Sequence, residues 1–178
     1  MTYAPIALFT YNRADHTQRA VESLLKNAEA KFSDLFIFSD GPKTPEKKAG
    51  VEENRKYIHT ISGFKSISIV EREKNWGLAN SLIAGITEVI NKYGKVIVVE
   101  DDLILSPYFL QFMNEGLEKY KDDDRVGTIT GFVPPIKDKL PETFFLKYFQ
   151  CWGWATWKRA WDLLETDARP LLKGLRFK

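Results

Sequence analysis

Three consecutive carboxylates, Glu100-Asp101-Asp102, stand directly after an apolar run, Val96-Ile97-Val98-Val99. Carboxylate oxygens suit hard divalent cations, and one or two of them with substrate phosphates make a typical Mg²⁺ or Mn²⁺ site. Adjacent acids in a strand-end turn point in different directions, one toward a metal and another toward sugar or ribose hydroxyls. Charges at the rim of an apolar core are costly, so a cationic group is expected opposite them. A second acidic triplet, Asp122-Asp123-Asp124, follows a helical pattern and precedes Arg125, which marks it as a solvated loop.

Stepping outward, the acids follow a short strand that reads as buried on both faces. Ser106 as N-cap and Pro107 at the first helical position open a helix with Phe109, Leu110, Phe112, Met113, Leu117 and Tyr120 at helical spacing. Three earlier apolar runs, Pro5 to Thr10, Asp34 to Ser39 and Ser66 to Val70, alternate with helical patterns. Asp15 and Gln18 stand at capping-box spacing in the first of these helices. This alternation predicts βαβ units, right-handed crossovers and an α/β fold with a mainly parallel sheet and flanking helices. Each run ends in a polar cluster: Asn12 and Arg13, Asp40 and Gly41, Arg72 and Asn75, then the three acids. A parallel sheet gathers all four clusters on one edge, where ligands of open α/β sheets sit. Beyond the fourth run, Arg125 to Gly131 and Phe144 to Phe149 read as strands. Trp154 to Leu164 reads as a tryptophan-rich helix.

Composition narrows the function. The chain has 178 residues, 44% hydrophobic and 28% charged, with a net charge of +2. That balance gives no basis for nucleic acid or anionic membrane as the main partner. No apolar run reaches transmembrane length. The lone Cys151 forms no internal disulfide, which suits a reducing cytoplasm. His16 and His59 lack metal-ligand spacing. Trp152 and Trp154 flank Gly153 and would form a sugar-stacking wall on an acceptor side, whereas Trp157 and Trp161 read as core.

The run Val98-Val99-Glu100-Asp101-Asp102-Leu103, with Ser106-Pro107-Tyr108-Phe109 after it, resembles the Glu-Asp-Asp metal motif of GT-A glycosyltransferases. The likeness is nearest to the N-acetylglucosaminyltransferase I type (family 13) and more distant to family 2. Tyr11-Asn12-Arg13 and Phe38-Ser39-Asp40-Gly41 are similar in kind and order, and Trp152-Gly153-Trp154 resembles the Gly-Trp stretch after the sheet. The resemblance implies a Rossmann-like GT-A nucleotide-diphospho-sugar transferase fold. Residues 1–131 would form its nucleotide-sugar half, and residues 132–178 would begin an acceptor-side region. It implies that Asp102 binds Mn²⁺ or Mg²⁺, Asp101 contacts the ribose and Glu100 faces the donor sugar. Asp40 would read the base, with Arg13 near base or phosphates; Arg72 and Asn75 join the donor site by analogy with family 2. The implied reaction is inverting transfer from a nucleotide-diphosphate sugar, a UDP-sugar above all, to a hydroxyl of a glycan or other acceptor. The base is expected beyond Lys178, since Asp162, Glu165 and Asp167 read as helix-surface acids. A sugar nucleotidyltransferase is the rival enzyme, disfavoured because the first strand lacks a Gly-rich basic phosphate loop. A catalytically silent nucleotide-sugar or glycan-binding module is the non-enzymatic rival.

Overall fold

Four apolar runs form the parallel part of a single six-stranded sheet in the computed structural model, which describes residues 2–137 and 139–175. They are β1 (Ile6–Thr10), β2 (Asp34–Ser39), β3 (Ser66–Glu71) and β4 (Lys95–Glu100). Two antiparallel strands, β5 (Thr128–Thr130) and β6 (Trp154–Trp157), complete the order β3-β2-β1-β4-β6-β5. Helices α1 (Ala14–Leu25), α2 (Lys48–Ile58), α3 (Leu78–Tyr93) and α4 (Phe109–Lys119) cover the two faces.

Strand alternation divides the core in two. On one face Ile6, Leu8, Leu35, Ile37, Ile97 and Val99 meet Val21 and Leu24 of α1, Ile58 of α2, and Leu110 and Met113 of α4. On the other, Ala7, Phe9, Phe36, Phe38, Val96 and Val98 pack under Ile86, Val89 and Ile90 of α3. A sheet covered on both faces needs continuous apolar strands, which is why β1, β2 and β4 lack polar alternation, whereas β3 at the sheet edge alternates serine with isoleucine. Burying each large side chain contributes roughly 1.5–3 kcal/mol.

The second half departs from the sequence expectations. Trp154–Trp157 is a strand, not the start of a helix. Its alternation fits both cores, with Trp154 in the cluster under α3 and Ala155 and Trp157 in the other. The tryptophan-rich run Trp154 to Leu164 reads as one helix in the sequence, and Trp157 and Trp161 do reach the core. The strand instead hands over directly to a short helix, α5 (Lys158–Trp161). Phe144 to Phe149 forms no strand: Phe145, Leu146 and Tyr148 are 68%, 62% and 67% exposed, and no neighbouring strand pairs with them. Aromatic strand propensity expresses packing on a pleated surface, and here there is no such surface. Of Arg125 to Gly131, only Thr128–Thr130 pairs as strand.

Capping also differs. Arg13, not Asp15, precedes α1, and Gln18 donates to Glu22 instead of closing a capping box. Ser106 and Pro107 lie in a turn before Tyr108, the residue that immediately precedes α4. A last helix, α6 (Ala168–Leu175), follows α5.

Candidate functional site

Strand β1 pairs with β2 on one side and β4 on the other, so the strand order reverses between β1 and β4. The carboxyl ends of strands at such a reversal frame a crevice where α/β sheets hold ligands. Phe9 stands opposite Glu100 in the β1–β4 register, so the residues after each strand emerge side by side. Arg13 and the acidic triplet meet there. The Arg13 guanidinium donates to Asp101 Oδ1 at 2.6 Å and to Asp102 Oδ2 at 3.1 Å. Asp101 also accepts from the Tyr11 amide at 3.4 Å. Arg13 is the cation that the acids called for.

The three acids divide by environment. Asp101 is buried, and burial pushes its carboxyl upward despite the opposing charge and hydrogen bond of Arg13. Burial also raises Glu100, and the charges of Asp102 and Asp101 add to it while Arg13 opposes. Burial works against the Arg13 charge, but Asp101 and Asp102 outweigh it and raise its pKa. The Asp102 side chain is 49% exposed and pairs with Arg13 through Oδ2. The crevice therefore carries more negative charge than its arginine offsets. Among the described residues, no three His, Cys, Asp or Glu side chains converge into a complete metal cage. The donor set fits a hard divalent ion that takes one carboxylate and fills its shell with phosphate oxygens and water.

A second wall comes from the loops after β2 and β3. Asp40 is 6% exposed, and its carboxylate accepts from the amides of Trp76, Gly77 and Gly41 at 2.9–3.1 Å. It thereby fastens the start of α3, where Gly77 takes φ +78°, a conformation that favours glycine. Asn75 does not cap α3; its amide donates to the Gly41 carbonyl at 2.8 Å. At Gly41 an added Cβ would stand 2.5 Å from Lys74 C and 2.8 Å from Arg72 O, so the loops close only over a bare backbone. Arg72 is 7% exposed and donates to Ser81 Oγ at 2.6 Å, with the Trp76 ring 4.0 Å away. Arg13, Asp40, Arg72, Asn75 and the three acids thus all lie where the parallel strands end.

Sequence reasoning missed several supports of this edge. The Tyr11 hydroxyl accepts from the Lys43 amide at 3.0 Å, tying the β1 end to the β2 loop. Arg55 on α2 donates to the Arg72 carbonyl at 2.7 Å and to Ser39 Oγ at 3.3 Å. Buried Asn54 donates to Thr10 Oγ1 at 3.0 Å, and its own Oδ1 has no partner. No local pattern announces these contacts, because each is made across the fold.

Trp152 and Trp154, expected to form one wall, are set in different surroundings. Trp152 is 51% exposed and stacks edge-on against Phe132, while Trp154 is buried in β6 against Phe149 and Trp161. Trp154 lines a cavity of about 1180 Å³ that reaches from Glu100 past Leu82 and Ile86 to Trp161. Asp162 is paired with Lys158 and Asp167 with Arg169, and Glu165 accepts from the Asp167 amide. In the decoy triplet, Arg125 holds Asp123 down to about 2 through its side-chain and backbone hydrogen bonds.

The family model described as Glycosyl transferase family 2 matches residues 6–169. A search of curated proteins finds no match. Among solved structures, the chain is similar to a mannosyltransferase from Pyrobaculum calidifontis in complex with GDP-Man and Mn²⁺. That likeness has 16% identity and TM-score 0.47, over 71% of this chain and 35% of the other. The TarS protein of S. aureus is 15% identical, with TM-score 0.46 over 66% of this chain and 20% of that one. The 4-diphosphocytidyl-2C-methyl-D-erythritol synthase from Anaerococcus prevotii is 9% identical, with TM-score 0.51 over 97% and 84% of the two chains, a likeness of fold alone. The chain spans about a third of the mannosyltransferase and a fifth of TarS. Among the described residues, no helix is long and apolar enough to cross a membrane.

Proposed function

The chain belongs to glycosyl transferase family 2, and from that premise we propose that it moves a sugar from a nucleoside-diphosphate donor to an acceptor hydroxyl. The observation that carries the reading is the acidic triplet at the β1–β4 strand reversal, faced by Arg13. The proposed donor is a UDP-sugar, the stereochemistry inverting, and the acceptor a glycan or another hydroxyl compound. The finer kinship proposed, to the N-acetylglucosaminyltransferase I type, rests chiefly on the Glu-Asp-Asp turn, with Tyr11-Asn12-Arg13, Phe38-Ser39-Asp40-Gly41 and Trp152-Gly153-Trp154 similar in kind and order. The lone Cys151 is compatible with a cytoplasmic setting.

Asp102 is the proposed metal ligand, for Mn²⁺ or Mg²⁺, because it is the most accessible of the three acids. Bound there, the ion supplies charge neutralisation for the departing diphosphate. Asp101, fixed by Arg13 and the Tyr11 amide, orients the ribose hydroxyls. Glu100, which lines the large cavity, is proposed to face the donor sugar, with that cavity as the acceptor side. Arg13, beside Asp101 and Asp102, would offer its guanidinium to the diphosphate. Arg72 and Asn75 build the nucleotide wall that Asp40 anchors. The catalytic base is proposed to lie outside these residues, because Asp162 and Asp167 are held by cations.

Calorimetry with UDP, GDP and their sugars, with and without Mn²⁺, tests the reading. Asp102→Asn should weaken metal-dependent nucleotide binding by at least tenfold and leave the melting temperature within about 2 °C, as expected for a half-exposed acid. Asp123→Asn should leave binding unchanged. Equal behaviour of the two variants would mean that Asp102 does not hold the metal. Diphosphate release from a nucleoside triphosphate and a sugar phosphate would instead support the nucleotidyltransferase.

A further inference from the structure

Arg72 follows β3 as a nearly buried cation with no ion pair among the described residues. Burial holds its guanidinium below the ordinary value, and Asp40 and Glu88 oppose this only through more distant charge. An arginine carries five N–H donors. Here Nη1 donates to Ser81 Oγ at 2.6 Å and Nη2 makes a long 3.5 Å contact with Ser81 O. Among the described residues, the rest of its donor edge meets no acceptor.

Aromatic faces supply the compensation. The guanidinium carbon lies 4.0 Å from the Trp76 ring centroid and 5.9 Å from that of Phe38. Trp76 is itself firmly placed: its amide donates to both Asp40 oxygens and its carbonyl accepts from Asn80 at 2.9 Å. Yet Trp76 is 49% exposed, so core burial does not explain the indole. What the ring covers is the cation.

We propose that Trp76 is a positioning residue for the donor nucleotide, holding the Arg72 guanidinium flat so that its unfilled donor edge meets an oxygen of the nucleoside diphosphate. This rests on the nucleotide-sugar reading above and adds to it the residue that orients the cation. A flat guanidinium stacks and donates in its own plane at once, which a lysine ammonium does not do. Indole is also the strongest of the three aromatic partners for a cation.

The test is calorimetric binding of UDP and GDP with Mn²⁺ to the full chain and to Trp76→Tyr, Trp76→Phe, Trp76→Leu and Arg72→Lys. Trp76→Leu should weaken binding about 5- to 30-fold, the range of a partly to fully desolvated cation–π contact. Tyr should retain the most and Phe less, in order of ring strength, with melting temperatures matched across the aromatic variants. Trp76→Leu combined with Arg72→Lys should bind no more weakly than Arg72→Lys alone, since both changes break one contact. Unchanged binding in Trp76→Leu, or additive losses in the pair, overturns the proposal while the nucleotide reading stands. Absence of nucleotide binding by the unmodified chain overturns both. Should Trp76→Leu fail to fold, the Tyr and Phe ranking decides: equal affinities for all three aromatics overturn the proposal.

Discussion

Glu100 carries its charge at the apolar end of β4, and burial leads the causes that raise its carboxyl, followed by Asp102 and Asp101. A raised folded-state pKa means that the folded protein binds this proton more tightly than the unfolded chain does. Its charge therefore costs stability at neutral pH, and that cost disappears as pH falls below the ordinary value of 4.5. Glu100→Gln should raise the melting temperature at pH 7, because the amide carries no charge to desolvate or to repel Asp101 and Asp102. The gain should shrink to nothing below about pH 4.5 in a calorimetric pH series, while nucleotide binding falls at every pH. Asp34 has the opposite sign. Burial pushes it up, but Ser66 at 2.6 Å and Lys65 at 3.0 Å hold it below 3.8. Its stabilisation is present above pH 3.8 and lost as pH falls through its lower folded value, so Asp34→Asn should cost stability at pH 7 and little in stronger acid. The sequence showed that charges crowded at a strand end need a cation. It did not show that Arg13, 88 residues from Asp101, would bridge two of the acids.

At the scale of elements, β1, β2 and β4 were legible because strands buried on both faces must be apolar throughout, and β3, at the sheet edge, because Ile67 and Ile69 alternate with Ser66 and Ser68. Strand β6 was not, because four buried residues show too short an alternation to be told from a helix start. The loops after β2 and β3 were legible as polar clusters at the strand ends, not as one bonded unit. Asp40 reads as a turn acid in Asp-Gly-Pro, whereas its partners at Trp76 and Gly77 lie 36 and 37 residues away. Those contacts make the two loops one unit, and the unit has a tight point at Gly41. Gly41→Ala would drive a methyl into the backbone of Arg72 to Lys74, and overpacking of this kind costs about 1–3 kcal/mol. Asp40→Ala would strip three amides of their acceptor and cost about as much. Both changes part the same loops, so the double variant should lose less than the sum in urea unfolding. Additive losses would mean that the loops are held independently.

At the scale of the molecule, stability is concentrated on the amino-terminal side of Trp161. Strand β6 lies between β4 and β5, so it closes the β4 edge and gives β5 its neighbour. Trp157 reinforces that position by donating through Nε1 to the Leu117 carbonyl at 3.0 Å, and Trp161 docks α5 on α3 by donating to Thr87 Oγ1 at 2.9 Å. Past that point the packing thins: Leu163, Leu171 and Leu172 are 82%, 55% and 54% exposed. Ending the chain after Glu165 removes α6 without touching either core cluster or the strand-end crevice. The shortened protein should keep its urea midpoint and m-value, since little surface buried in the fold is lost. It should also bind Mn²⁺ and nucleotide as before. Ending the chain after Gln150 should behave differently, because it deletes β6 and bares the hydrogen-bonding edge of β4, whose central residues are wholly buried. An open, apolar edge invites pairing between molecules. That species should lose the cooperative transition and associate in sedimentation experiments. A large drop in midpoint for the longer truncate would mean that α6 is seated on the domain, and the division of stability drawn here at Trp161 would move to Leu175.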